Sequence, residues 1–374
     1  MENLAVQKKE KVKKVSHRDL KFFVALQTYE PPQEYIRIGK MAEKLGFDRI
    51  YVYDDLMYRP SWPIVNLVAT YTKRIQLGPC VVNGRYMHPA LIAQNIAFLD
   101  DYSQKRAILG LGRGAFYDFL NMDGSEYTTR KVCEETIQLV KKFLKKDPTP
   151  YKGEFFEANE KAVLRFDPPR PDIPLIMATW NEKMAYMAGQ YGMELQIAEV
   201  WNPDHLKQIY DTYHEGALST AAFYDKELIF NIGGMSCVSY DENLAYKNAK
   251  LVMSVYFPYL RTIMQRININ PESEYIRQMT HYSKLGNYVK ASSYITDDLV
   301  EKFSMTGHPD RIVEKLGKIL EIIPVNAILF SPPYGPTGSN EENLQFIAEN
   351  VIKKLHPSFG TEKKETTSKI TIVE

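Results

Sequence analysis

The sequence predicts a closed (β/α)8 TIM barrel, and three observations carry that prediction. Eight apolar strand candidates recur along the chain, most of them followed by a helical stretch. One of them, Ala107–Leu111, is a nearly continuous apolar run, as expected of a parallel strand buried on both faces. Polar residues collect just after the strand ends, the usual place for chemistry in parallel α/β proteins.

KFFVAL (Lys21–Leu26) opens the series and precedes a helix from Pro32 to Leu45, closed by Gly46 as a C-cap. RIYVYD (Arg49–Asp54) precedes SWPIVNLVATYT, with Ser61 expected as N-cap and Pro63 in the first turn. A third strand lies within Ile75–Val82. Pro89 then opens a helix whose Leu91, Ile92, Ile96 and Leu99 share one face. After Ala107–Leu111, a helix over Thr129–Phe143 leads into YKGEFFEANEKAVLRF, which alternates like a short hairpin. PLIMA (Pro174–Ala178), MELQIA (Met193–Ala198), ELIFNIGGMSCVS (Glu227–Ser239) and NAILFS (Asn326–Ser331) complete the strands, and a last helix covers Glu341–Leu355. Tyr256–Met305 is helical and tyrosine-rich without a barrel strand. It reads as an insertion after the seventh strand, placed to roof the C-terminal face. One domain thus spans 21–355, between a solvated basic arm at 1–20 and a peripheral tail at 356–374.

An open, doubly wound sheet is the competing architecture. GLGRGA (Gly110–Ala115) does not support it, because it lacks the G-x-G-x-x-G spacing and the acidic residue about 20 positions on. The 374 residues are 44% hydrophobic, enough for a large core. A net charge of +1 offers no electrostatic case for nucleic acid or an anionic membrane. No apolar run approaches the ~18–20 residues that span a bilayer. Cys80, Cys133 and Cys237 are too few and too dispersed for a disulfide framework or zinc site, which fits a reducing cytoplasm. No H-E-x-x-H, paired CxxC or carboxylate array points to a metal.

Tyr53-Asp54-Asp55 ends the second strand, and two adjacent carboxylates there suit either a site or a helix-capping turn. Arg85 and His88 follow the third strand; a histidine before Pro89 suits a helix N-terminus as well as a ligand contact. Thr179-Trp180-Asn181 follows the fifth strand and opens a helix, where free N–H groups favour anionic oxygens.

The order LG..V, R..HP and A..LD..S..RA.LGLG.G within Ile75–Ala115 resembles the luciferase-like flavin and deazaflavin oxidoreductases. Within them it is most similar to the branch using the 5-deazaflavin coenzyme F420, which includes methylenetetrahydromethanopterin reductases and sugar-phosphate or alcohol dehydrogenases. The resemblance continues at Pro174–Gly192 and Thr306–Leu320. It implies a (β/α)8 barrel, hydride exchange between coenzyme F420 and a small organic substrate, and a homodimer. FMN in a monooxygenase is the alternative, and a member without catalysis is a third. The branch usually carries Asp-His where Asp54-Asp55 stands. Asp54 is thus expected at the cofactor and Asp55 as acid or base, the former only if burial raises its pKa. Cys80–Val81 occupies the place of a cis bond whose bulge backs the ring. Asn83, Gly112 and Arg113 are expected beside it, with His88 a further catalytic candidate. Ala115 stands where sugar-phosphate relatives carry a glutamate; Tyr117 and Asp118 lie nearby. Trp180 and Asn181 replace a Gly-Gly pair, so that phosphate binding over Thr179–Asn181 has less room.

Overall fold

The computed structural model describes residues 19–220, 227–332 and 340–360. Most of the arm and of the tail lies outside the described residues. The ring consists of β1 (Lys21–Leu26), β2 (Arg49–Val52), β3 (Gln76–Pro79), β4 (Leu109–Gly112), β5 (Leu175–Ala178), β6 (Glu194–Ala198), β7 (Phe230–Val238) and β8 (Ala327–Ser331). Neighbours pair in parallel in the order β3-β2-β1-β8-β7-β6-β5-β4. Parallel bridges from Leu77 to Ala107 and from Val82 to Leu111 join β3 to β4 and close the ring. An open sheet would leave those two strands as edges, so the barrel expectation holds.

Helices α1 (Pro32–Leu45), α2 (Ser61–Tyr71), α3 (Pro89–Tyr102), α4 (Glu126–Leu144), α5 (Glu182–Gln190), α6 (Pro203–Leu218), α7 (Glu242–Tyr256) and α8 (Pro309–Ile322) surround it. Proline lies in the first two positions of α1, α3, α6 and α8, where its missing N–H costs no helical bond. The barrel interior is apolar around Phe23, Tyr51, Cys80, Ile108, Ile176 and Leu329. An ion pair crosses it. Arg49 Nη2 donates to Glu194 Oε1 at 2.9 Å, its Nη1 meets the other oxygen, and its Nε donates to Gln76 at 2.7 Å. The guanidinium also lies 4.8 Å from the Phe23 ring centroid.

Several local expectations shift. Ser61 is the first residue of α2 rather than its N-cap, because its hydroxyl donates to Asp54 Oδ1 at 2.6 Å instead of accepting from the helix. Helix α4 starts at Glu126, three residues early, since Ser125 accepts from Thr128 N and caps it there. The last helix bulges into a π-turn over Ala348–Ile352. A short strand at Met305–Gly307 also closes the insertion. It pairs with Ser236–Val238, the part of β7 that runs on beyond the barrel.

Helices α5 and α6 approach so closely that backbone faces backbone. A Cβ on Gly189 would stand 2.2 Å from the Tyr213 carbonyl oxygen, and one on Gly216 2.0 Å from that of Tyr186. Gly189→Ala is therefore expected to destabilise by about 1–3 kcal/mol, because neither backbone can yield without moving its helix. Gly317, inside α8, has open space where its Cβ would be. There alanine should stabilise by about 0.5–1 kcal/mol through helix propensity alone. Urea titration of both variants checks the pair, and equal shifts would refute the packing argument.

Candidate active site

The C-terminal ends of β1, β2, β3, β4, β6 and β8 form one polar mouth. Asp55 is half-buried there, and its Oδ2 accepts from Gln27 Nε2 at 2.7 Å. Gln27 is itself held, its carbonyl accepting Thr28 N–H at 2.7 Å. Burial raises the Asp55 carboxyl from 3.8 to about 6, the Gln27 bond opposing and the neighbouring Asp54 charge adding to the rise. Asp54 turns the other way and binds the first residue of α2, taking both the hydroxyl and N–H of Ser61. The two carboxylates are thus separated in direction, one facing the mouth and one bracing a helix.

The Cys80–Val81 peptide is cis. Its flanks are held by Cys80 N–H to Val52 O and Val82 N–H to Gly110 O, both 2.9 Å. Two glycines of β4 make room beside it. A Cβ on Gly110 would lie 2.7 Å from Cys80 Cα, and one on Gly112 3.0 Å from the Ala178 carbonyl and 3.1 Å from both Val81 methyls. Val81, Ala178 and Tyr53 cap the interior apolar cluster at the mouth end of the barrel. Burial pushes the Cys80 thiol up to about 12, so it stays protonated and unreactive.

The other expected residues lie after the ends of β3, β4 and β5. Asn83 is buried, and its Oδ1 accepts from Arg85 and Tyr86 N–H at 3.0 and 3.2 Å, which shapes the loop after β3. His88 is exposed. Its Nδ1 caps α3 through Ala90 N–H, and its ring meets Phe156 edge-on. Arg113 is exposed and donates to Gly124 O at 2.7 Å. At the start of α5, Asn181 Oδ1 takes Lys183 and Met184 N–H, and Thr179 Oγ1 takes Asn181 N–H. The Trp180 indole donates to Ala198 O. Side chains therefore already use several of the N–H groups expected to meet a phosphate. Val81 and Gly112 come together, Asp55 meets Gln27, and Asp54 is turned to Ser61; His88 and Thr179–Asn181 follow β3 and β5 separately.

Sequence reasoning missed Gln27 and Glu199, and named Tyr53 at the end of the second strand without giving it a role. Burial, reinforced by the charge of Glu199, drives the Tyr53 hydroxyl far above the ordinary range. Glu199 follows β6, and burial moves its carboxyl from 4.5 to about 8 against hydrogen bonds from Met235 and Tyr256. A carboxylate directly after the strand MELQIA was the available signal. The insertion also reaches the mouth. Tyr259 packs edge-on against Phe116, 4.8 Å between centroids, and Tyr256 meets Glu199.

The signature of the luciferase-like monooxygenase family matches residues 20–323, most of the chain. This chain belongs to that family. Luciferase-like relatives include the 5,10-methylenetetrahydromethanopterin reductase of Methanopyrus kandleri, 24% identical over 351 residues, covering 89% of this chain and 98% of the relative. The structure of the coenzyme F420-dependent reductase from that organism superposes with a TM-score of 0.77 at 23% identity, over 91% of this chain and 99% of the other. An F420-dependent secondary alcohol dehydrogenase superposes at 0.71 with 18% identity, over 91% and 99%. Among the described residues, no helix is long and apolar enough to cross a membrane, and no group of three or more His, Cys, Asp or Glu side chains could hold a metal ion.

Proposed function

We propose that this luciferase-like protein is a coenzyme F420-dependent oxidoreductase that exchanges a hydride with a small organic substrate at the barrel mouth. The cis Cys80–Val81 peptide packed against Gly112 and Ala178, with the raised-pKa carboxyl of Asp55 following the neighbouring strand β2, carries the reading. Val81, Gly112 and Ala178 pack too closely to admit a Cβ at Gly112, which keeps this end of β4 low for a flat, largely uncharged ring, and Asp55 supplies the proton-exchanging carboxyl after β2. The similar reductases and dehydrogenases use that cofactor. Bound there, the deazaflavin supplies the hydride chemistry, while the protein supplies orientation and proton handling.

Gln27 fixes the Asp55 carboxyl through one hydrogen bond, leaving its other oxygen for a substrate hydroxyl. With a pKa of about 6 it is mostly ionised at neutral pH and acts as base when a carbinol is oxidised; in reduction its protonated form is the acid. Asp54 keeps the β2 end in place by holding α2. The phosphate side is expected over Thr179–Asn181 once a ligand displaces the Asn181 side chain from the helix start, with Asn83 and His88 after β3 and Arg113 after β4.

Fluorescence titration of the purified protein with oxidised coenzyme F420 and, separately, FMN tests the assignment. Saturable binding of the deazaflavin is expected. Tight FMN binding without deazaflavin affinity would overturn it in favour of a monooxygenase, and binding of neither would point to a member that has lost catalysis.

A further inference from the structure

The hairpin between α4 and β5 has no part in the chemistry above, yet a buried carboxylate pins its tip. Tyr151–Lys152 pairs antiparallel with Glu157–Ala158, and Gly153 N–H closes the turn onto Phe156 O at 2.8 Å. Glu135 of α4, only 2% exposed, receives that turn. Its Oε1 accepts Glu154 N–H at 2.8 Å, and its Oε2 accepts Phe155 and Phe156 N–H at 3.0 and 3.1 Å. Hydrogen bonds to an ionised acceptor are stronger than those to a neutral one. Gly153 leaves the carboxylate its place, since a Cβ there would stand 2.3 Å from Oε2. Phe156 is fixed by this turn, and its ring meets His88 edge-on, 5.2 Å between centroids. A Cβ on Gly84 would lie 3.2 Å from Phe156 Cζ and 2.1 Å from Oγ1 of Thr136, the residue after Glu135. Gly84 is thus enclosed between α4 and the Phe156 ring, with no room for a side chain. Its neighbour Asn83 accepts Arg85 and Tyr86 N–H and stands two residues beyond the Cys80–Val81 peptide. An unbroken set of contacts therefore runs from Glu135 through Phe156 to the loop after β3.

We propose that Glu135 is a positioning residue of the cofactor site, holding the loop after β3 in its binding form through Phe156. The proposal rests on the hydride-transfer reading, in which Val81 and Asn83 hold the cofactor. Glu135 exchanges no proton in the reaction and acts only through the hairpin turn. Glutamine cannot replace it there. Its amide nitrogen must face either Glu154 N–H or the pair from Phe155 and Phe156, and a donor set against a donor releases the turn. Phe156 then no longer wedges Gly84 and His88, and the loop visits other forms. A ligand that binds only the original form meets a smaller competent fraction, and its apparent affinity falls in proportion. Once bound, that ligand holds the loop itself, so turnover at saturation keeps its original value.

The test compares Glu135→Gln, Phe156→Leu and their double variant with Asp100→Asn, all in the full chain. Asp100 is also a buried carboxylate, but it binds Arg170 and Ala107 N–H beside the N-terminal end of β4, away from the mouth. In the ligand-free protein, hydrogen exchange over Asn83–His88 should be faster in E135Q and F156L and unchanged in D100N. Titration with oxidised coenzyme F420 should show about 10-fold weaker binding in E135Q and F156L, as for a loop competent one-tenth of the time. Turnover at saturating cofactor should be unchanged, the split expected when binding alone is affected. The double variant should bind no more weakly than F156L, because both changes act through one contact. D100N should lose melting temperature and keep its affinity. A purely structural Glu135 would behave like Asp100, and unchanged affinity in E135Q and F156L overturns the proposal whatever the exchange shows. Additive losses in the double variant overturn it as well. Should E135Q fail to fold, F156L carries the test through the same two readouts. No deazaflavin binding by the unsubstituted chain sinks the hydride-transfer reading and this role with it; binding by that chain with equal affinity in the variants sinks the proposal alone.

Discussion

Asp55→Asn should lower turnover about 10²–10⁴-fold while leaving deazaflavin affinity little changed. The amide keeps the size of the side chain and can still meet Gln27, but it neither takes nor gives a proton near neutral pH. Turnover in the carbinol-oxidising direction should rise with pH through about 6 in the unsubstituted enzyme, as Asp55 ionises, and this limb should vanish in the variant. The same carboxyl has a signature in stability. Its pKa is raised on folding, from 3.8 to about 6, so between those values the folded chain binds more protons than the unfolded one. Its contribution to stability is thus fully present below the lower value and declines as pH rises through about 6; Asp55→Asn should flatten that segment of the stability profile. Near-normal turnover in Asp55→Asn would move the acid–base role elsewhere, with Tyr117 and His88 the next residues to examine.

Glu194→Leu should cost about 3–5 kcal/mol of stability, since it strands the Arg49 guanidinium inside the barrel. Arg49 is 5% exposed and Glu194 9%, so solvent reaches neither to compensate. Adding Arg49→Met should recover most of the loss, because a buried pair replaced as a whole leaves no lone charge. Denaturant unfolding of the three variants measures this. A double variant as weak as the single one would show that the pair contributes something apolar packing cannot replace.

Strands and helices were legible because their signals are local. Apolar runs such as Ala107–Leu111 and prolines at helix starts need no knowledge of distant residues. The separation of Asp54 from Asp55 was not legible, because it depends on Ser61 reaching back seven residues from the start of α2. Gln27 carried no chemical signal of its own and gains a role only through Asp55, 28 residues away. The clasp of Arg49 with Glu194 spans 145 residues and two strands on opposite sides of the ring, so it exists only once closure and register are set. Trp180 and Asn181 show the converse. The helix start was legible, but not that Asn181 would use its free donors.

The Arg49–Glu194 clasp and the apolar cluster around it also govern traffic, because they stop the barrel at one end. A molecule that reaches Val81 therefore enters and leaves on the C-terminal side, since the filled interior gives it no passage through the barrel. On the proposed function, with the cofactor ring against Val81 and the substrate above it, the expected binding sequence has the cofactor first in and last out. In steady-state kinetics, the reduced cofactor should compete with the oxidised one, while the organic product should not.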